Sequence, residues 1–242
     1  MGFSAVSRFG VIASGLLGAL TLASGANAAV TISSIALDTP GGVSGTITYT
    51  PTTPDYVVNA GIGRLKLTTD TGDTLLSYCI DIFHSLTAAS FTPATITSTS
   101  LSSTKIARLS ALLSNGEALV TDANHSAAEQ LAIWEIVNEG SGTYNLTAGD
   151  LKVSNISSSA VSLANTYLSN ITSETWTADP TLSLAVLQAP NNQTQLVWGT
   201  SANKVLGAVP EPATWAMMIG GFGAIGATLR RRGTANGLVS VR

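Results

Sequence analysis

The chain has 242 residues, of which only 10% are charged, and its formal net charge at pH 7 is −3. Residues 29–209 contain six basic and 13 acidic residues, a net charge of −7. A nucleic-acid-binding protein needs basic surface to neutralise phosphates, so this balance argues against a nucleic-acid partner. The same segment is long enough to form one domain with a substantial core.

The N-terminus predicts a secretory signal peptide over residues 1–28. Arg8 precedes an uncharged apolar run at 9–23, and Ala26 and Ala28 form a small-x-small cleavage site. Cleavage after Ala28 would leave a mature chain that the Sec machinery has exported. A retained N-terminal anchor is the alternative.

The first half of the predicted body, residues 29–209, shows β-strand patterns. Strands are expected at 30–37 and 45–50, where β-branched and aromatic residues alternate with polar ones. The segments 62–69 and 74–83 predict a hairpin, because the four residues between them are turn formers.

The hydrophobic period then changes from that of strands to that of helices. Apolar residues at helical spacing predict one helix over 103–113. A second helix is expected to be capped by Asn124 or Ser126 and to run to Glu139, and a weaker third covers 158–168.

Strand character returns near the end of the body. The segments 182–187, 195–198 and 205–206 are rich in apolar and β-branched residues. Strands, helices and strands again predict an α+β fold. We expect a β-rich framework, sandwich or barrel-like, with two to three inserted helices.

Cys79 is the only cysteine of the chain. It therefore cannot form an internal disulfide, and is a buried small hydrophobe, an intermolecular partner or a reactive thiol. Strand alternation puts Tyr78 and Ile80 on one face, and Cys79 on the other with Ser77 and Asp81. The thiol is thus expected to point away from the more apolar side.

Gln130 lies in the middle of an apolar helical stripe. Its neighbours on the helix surface are Ala127, Ile133, Trp134 and Val137. A buried carboxamide without partners would cost roughly 1–3 kcal/mol. Either hydrogen bonds or a covalent bond must therefore hold this side chain.

These two residues carry a resemblance. Tyr-Cys-Ile-Asp at 78–81, followed by Gln-Leu-Ala-Ile-Trp at 130–134, resembles the paired signature of the thioester domains of bacterial surface adhesins. In that family the Cys thiolate displaces ammonia from the Gln side chain and leaves an internal thioester. The resemblance, convincing over 75–137, implies that Cys79 supplies the sulfur and Gln130 the acyl group, for covalent adhesion to amines or hydroxyls.

A thioester survives only where water is excluded, and Tyr78 and Trp134 are the candidates for shielding it. Four titratable residues lie close to the pair in sequence, and a solvated surface role is expected for each: Asp81, His84, His125 and Glu129. Cys79 and a histidine could form a dyad, but no protease signature accompanies them. We therefore expect no enzyme, no metal site and no cofactor.

The C-terminus predicts a membrane stop. An uncharged apolar segment at 213–229 is at the short end of what crosses a bilayer. The basic cluster that follows marks the cytoplasmic side, with 233–242 as a cytoplasmic tail. The flanking residues are Pro210, Glu211 and Pro212 before the span and Arg230, Arg231 and Arg232 after it.

Residues 210–232, with Pro-Glu-Pro and then Trp-Ala-Met-Met, closely resemble the PEP-CTERM sorting signal. That signal belongs to Gram-negative bacteria that make exopolysaccharide, whereas thioester adhesins are mainly Gram-positive. It implies processing by an exosortase near Pro-Glu-Pro, anchoring in the inner membrane beforehand, and release to the cell surface or matrix. An ordinary C-terminal anchor is the alternative.

Two functions follow from the sequence. The first is a covalent adhesin with an internal thioester, directed at exopolysaccharide or at an amine-bearing surface. The second is an inert structural protein of the exopolysaccharide or biofilm matrix, in which Cys79 and Gln130 are merely packed.

The sorting interpretation predicts two outcomes. Neutral residues in place of Arg230, Arg231 and Arg232 should weaken membrane retention, because the stop charges are lost. In a host without exosortase, the tail should remain uncleaved and the protein fully retained, as measured by fractionation and intact mass. Normal cleavage in such a host would contradict the sorting assignment.

Overall fold

The computed structural model describes residues 28–207 and 221–223. The predicted signal peptide before residue 28 and nearly all of the predicted membrane helix and tail lie outside the described residues. Residues 28–207 combine β-strands with α-helices in the order expected, so the predicted α+β class is confirmed.

The strands are β1 (Val30–Leu37), β2 (Val43–Tyr49), β3 (Tyr56–Ile62), β4 (Leu65–Thr69), β5 (Thr74–Cys79), β6 (Ser90–Thr95), β7 (Leu151–Ser154), β8 (Leu184–Gln188) and β9 (Gln195–Trp198). The helices are α1 (Ser103–Gly116), α2 (Ala123–Asn138), α3 (Ser158–Thr172) and α4 (Gly199–Leu206). Strands β1-β4-β5-β9-β8-β6 form a closed antiparallel barrel, and β3-β2-β7 form a separate sheet.

Two cores hold these layers together. One cluster joins apolar side chains of the barrel strands, among them Leu67, Leu75 and Phe91, to Ala202 and Val205 of α4. The other lies between the strands and helices α1, α2 and α3. Burial of these apolar surfaces is the main stabilising contribution to the fold.

Helix α2 is the central element of the second core. Residues 126–136 are buried without interruption. A helix buried on every side has neighbours all round it, and α2 contacts α1, α3 and strands of both sheets. Polar side chains on it therefore have to find partners inside the protein.

Several predicted boundaries are wrong. The expected strand 62–69 starts too early, because Ile62 is the last residue of β3 and β4 begins only at Leu65. The expected strand 205–206 belongs to α4, which starts at Gly199 with a positive φ of 53°. Strands β3, β6 and β7 were not predicted, since β6 contains a proline and β7 has only four residues.

The predicted cap of α2 is also wrong. Asp122, not Asn124 or Ser126, is the N-cap, and its Oδ1 accepts hydrogen bonds from the backbone N–H of Asn124 and His125. The hydroxyl of Ser126 instead accepts a hydrogen bond of 2.8 Å from the backbone N–H of Arg64. This contact fixes α2 against the turn between β3 and β4.

The late start of β4 leaves part of β5 without a neighbour on that side. The β4–β5 register runs from Thr68↔Thr74 to Leu65↔Ser77, so Cys79 lies beyond its last pair. At Gly63 the chain passes so close to α2 that a Cβ would lie 2.8 Å from Ser126 Oγ and 3.0 Å from Gly42 Cα. Helix α2 therefore lies beside the end of β5 where a strand would otherwise continue.

This close approach predicts that Gly63→Ala destabilises the protein by roughly 1–3 kcal/mol, because the added methyl group pushes α2 from β4. Gly61→Ala is the matched control, since a Cβ there meets nothing within 4 Å. Urea unfolding of both variants tests this. Equal urea midpoints for Gly63→Ala and Gly61→Ala would show that α2 is not packed tightly against Gly63.

Candidate functional site

The side chain of Gln130 binds the backbone of Cys79 through two hydrogen bonds. Its Oε1 accepts from Cys79 N at 2.8 Å, and its Nε2 donates to Cys79 O at 2.7 Å. On the opposite edge of the strand, Ile80 N donates to Thr194 O just before β9. The carboxamide thus occupies the place of the strand neighbour that β4 does not provide.

Two further glutamines contact the sulfur of Cys79. The thiol donates to Gln193 Oε1 over 2.8 Å, and Gln195 Nε2 lies 3.4 Å from Sγ. Gln195 Oε1 in turn accepts from Ser77 Oγ at 3.0 Å. The sequence analysis did not identify either glutamine. The only signal in the sequence was the Gln-Thr-Gln alternation at 193–195, which leads into β9 and lies more than a hundred residues from Cys79.

Cys79 is more buried than the strand pattern predicted, with only 7% of the residue exposed. The prediction fails because Cys79 and its neighbours Tyr78 and Ile80 all belong to the core that the strands share with the helices, so both faces of the chain are covered at this point. Burial raises the pKa of the Cys79 thiol to about 12. The sulfur is therefore a neutral thiol at physiological pH, and it resists oxidation and alkylation in this state.

A cleft of about 240 Å³ reaches Cys79 from the surface. Its walls come from β3, from α2 through Trp134, and from the segments around residues 82–86 and Gln193. Trp134, one of the two candidate shielding residues, is 3% exposed and lines this cleft. Tyr78 lies elsewhere: its ring stacks on Trp198 and its hydroxyl donates to Glu117.

An acid–imidazole pair lies at this cleft. His84 lines the cleft, and its Nδ1 is 2.6 Å from Asp81 Oδ2. The Asp81 backbone carbonyl accepts a hydrogen bond from Gln193 Nε2. Because Gln193 Oε1 accepts from the Cys79 thiol, Gln193 links the acid–imidazole pair to the sulfur. The side chain of His84 is 49% exposed and that of Asp81 17%, so only the histidine has the solvated position expected for both.

A second group of charges lies under α2. Arg64 forms ion pairs with Asp38 and Glu117, both at 2.8 Å, and Glu117 also accepts from Tyr78. Burial raises the pKa of Glu117, while Tyr78 and Arg64 oppose that shift. Through the hydrogen bond between Tyr78 and Glu117, this network connects β5 to the C-terminal end of α1.

Glu129 was expected to be solvated, and that expectation is wrong. It is fully buried, and neither carboxyl oxygen has a hydrogen-bond partner among the described residues. It packs so closely on Gly116 of α1 that a side chain there would collide with it. Burial, and then the nearby charge of Glu117, raise the pKa of Glu129 well above its usual value.

Comparison with known proteins identifies the C-terminal signal. The profile of the PEP-CTERM protein-sorting motif matches residues 208–232. The predicted sorting signal is therefore confirmed, and the chain is an exported protein that exosortase processes. Export and membrane anchoring before cleavage follow from the motif. Within residues 28–207 and 221–223, no helix has the length and apolar character needed to span a bilayer.

The comparisons say less about the body of the chain, residues 29–209, than about the C-terminal signal. No curated protein matches the sequence. The N-terminal domain of the Streptococcus pyogenes pilus tip adhesin Cpa is similar in structure, with 14% identity, 69% of this chain and 98% of that chain covered, and a TM-score of 0.40. A likeness of this degree carries no functional conclusion.

The burial of Glu129 predicts a pH dependence of stability. Above the ordinary pKa of glutamate the unfolded chain loses this proton while the folded protein keeps it, so the free energy of unfolding falls as pH rises. Glu129→Gln should make that fall less steep and raise stability at neutral pH by roughly 1–3 kcal/mol. Urea unfolding between acidic and neutral pH measures both effects.

Glu139→Gln gives the opposite control. Burial acts to raise the pKa of Glu139, but hydrogen bonds from Ser141 and Asp150 outweigh it and lower the pKa. This group stabilises the fold above its unfolded pKa, and that contribution is lost as pH falls through its folded pKa. If the free energy of unfolding changed with pH in the same way in both variants, a raised pKa of Glu129 would be ruled out.

Proposed function

We propose that this exported protein carries an internal thioester between Cys79 and Gln130 and uses it for covalent adhesion to hydroxyl or amine groups at the cell surface or in the extracellular matrix. The observation that carries the proposal is the pair of hydrogen bonds between the Gln130 carboxamide and the backbone of Cys79. A buried acyl group is thereby held on the residue that bears the only thiol of the chain.

The hydrogen bonds also suit the chemistry of bond formation. Sγ of Cys79 would add to Cδ of Gln130, and negative charge would develop on Oε1. The Cys79 N–H already donates to that oxygen, and a fixed backbone donor of this kind stabilises an oxyanion. The Nε2 group would then leave as ammonia, taking up the proton of the thiol, and the carbon–sulfur bond would remain.

The thiol must change partner for this reaction. It donates to Gln193, so rotation of the Cys79 side chain toward Gln130 would precede attack. Gln193 and Gln195 are the competing acyl donors, because their carboxamides contact Sγ directly. Gln130 is favoured because its oxygen alone among the three has the backbone N–H of Cys79 as a donor.

Such a bond would be used once. Trp134 and the narrow cleft limit access of water to Cys79, which would protect a thioester from hydrolysis. A nucleophile that entered the cleft would take the acyl group of Gln130 and leave a free thiol. Because Gln130 would not be regenerated, the protein would act by one covalent event and not as an enzyme with turnover.

One observation favours the second candidate, an inert protein of the exopolysaccharide matrix. The two backbone hydrogen bonds satisfy both polar atoms of Gln130 without any covalent bond. Under this alternative, Cys79 remains a thiol and Gln130 only completes the edge of β5.

The intact mass of the exported protein separates the two functions. With a thioester, the protein should be lighter than its sequence mass by one ammonia and should show no free thiol when folded. Methylamine should add its own mass, place a methylamide on Gln130 and release the Cys79 thiol, so that the product is heavier than the sequence mass by one methylene group. Peptide mass spectrometry locates the amide and distinguishes Gln130 from Gln193 and Gln195.

Matched variants sharpen this test. Cys79→Ala and Gln130→Ala should each abolish the mass deficit, whereas Gln193→Ala should retain it. Cys79→Ala should cost at most a few kcal/mol of stability, since it removes one cross-link. Gln130→Ala should cost more, because the buried N–H of Cys79 also loses the Gln130 oxygen that accepts from it, at roughly 1–3 kcal/mol. A full mass, with a thiol that titrates once the protein is unfolded, would leave the inert function.

A further inference from the structure

The cleft that reaches Cys79 contains one side chain able to accept a proton from an incoming molecule. His84 lines this cleft, and Asp81 lies 2.6 Å from its Nδ1. A carboxylate in this position holds the proton on Nδ1 and leaves the lone pair of Nε2 free. Asp81 is itself fixed, since its Oδ1 accepts from Phe83 N and its carbonyl from Gln193.

The cleft offers little to a positively charged ligand. Among the described residues that line it, none has a carboxylate, whereas Asn59, Ser85 and Gln193 contribute neutral hydrogen-bonding groups. Asp81 borders the cleft but is already paired with His84, so an alkylammonium ion would enter without a free counter-ion, which is costly in a partly apolar cleft. A hydroxyl group is neutral and can bond to such amides and hydroxyls.

The two nucleophiles also differ in their need for a base. A neutral amine attacks an acyl carbon with a free lone pair. An alcohol is a poor nucleophile unless its proton is removed as it attacks, and this is the role of a general base. An imidazole in the cleft that reaches Cys79 therefore matters much more for ester formation than for amide formation.

We propose that His84 is the general base that directs the thioester to hydroxyl groups, such as those of carbohydrates, and that Asp81 positions it; this inference rests on the proposed function. The hydroxyl oxygen bonds to Cδ of Gln130 as its proton passes to His84 Nε2. The carbon–sulfur bond then breaks, and the proton moves on to the departing sulfur of Cys79. The products are an ester at Gln130 and a free thiol.

The test compares two nucleophiles on the exported protein. Wild type and His84→Gln are first weighed to verify that both lack one ammonia, and each is then treated with glycerol or with methylamine. In His84→Gln, formation of the glycerol ester should be slower by roughly 100-fold or more, the usual contribution of a general base. Amide formation with methylamine should change little.

His125→Gln is the matched control. His125 also pairs with an aspartate three residues away, at 3.0 Å from Asp122, but it does not line the cleft. Its substitution should leave both reactions at the wild-type rate. Asp81→Asn should slow ester formation more than amide formation, because the imidazole loses the group that sets its tautomer.

Each other outcome overturns the assignment. Equal loss of both reactions in His84→Gln would mean that the histidine only supports the structure, and no loss would mean that it takes no part. A His84→Gln protein of full mass would assign the histidine to bond formation instead. If wild type itself showed no mass deficit, the proposed function would fall, and the role of His84 with it.

Discussion

The pair of hydrogen bonds between Gln130 and the backbone of Cys79 joins the two layers of the fold at the point where the barrel is incomplete. Strand β4 starts at Leu65 and cannot reach Cys79, so the N–H and C=O of that residue need another partner. Helix α2 supplies it, with Ser126 bound to Arg64 one turn earlier. The helix therefore replaces a strand at this edge, and its position follows from hydrogen bonds as well as from apolar packing.

This arrangement explains why a polar side chain is tolerated in the most buried helix of the described structure. A leucine at position 130 would fill the space but would leave two buried backbone groups unpaired. Gln130 also brings its side-chain carbonyl group to the residue with the only thiol, so the structural role and the proposed chemical role use the same contact. Either role alone would account for a glutamine here.

Local patterns made much of this fold predictable, and long-range contacts account for the failures. The helical period and the turn at 70–73 gave α1, α2, α3 and the β4–β5 hairpin within a few residues. Two short sequence motifs, at 78–81 and 130–134, identified Cys79 and Gln130 as a pair. Secondary-structure propensities alone would not have done so. Gln193 was missed because its contact with Cys79 spans 114 positions in sequence and depends on how the barrel closes. Glu129 was misjudged because a charge in a helix usually faces solvent, whereas α2 is covered on all sides.

Export places a further demand on this site. Outside the cytoplasm an exposed lone thiol oxidises or pairs with another chain. Burial of Cys79 and the hydrogen bond to Gln193 keep the thiol neutral, with a pKa of about 12, and these conditions slow both reactions. In the proposed reaction, the same burial would make attack on Gln130 depend on movement of the thiol and on oxyanion stabilisation, since little thiolate is present. The site is thus arranged to keep the sulfur unreactive toward solvent while an acyl group lies beside it. A free cysteine that served only as an intermolecular partner would need the opposite, an accessible sulfur.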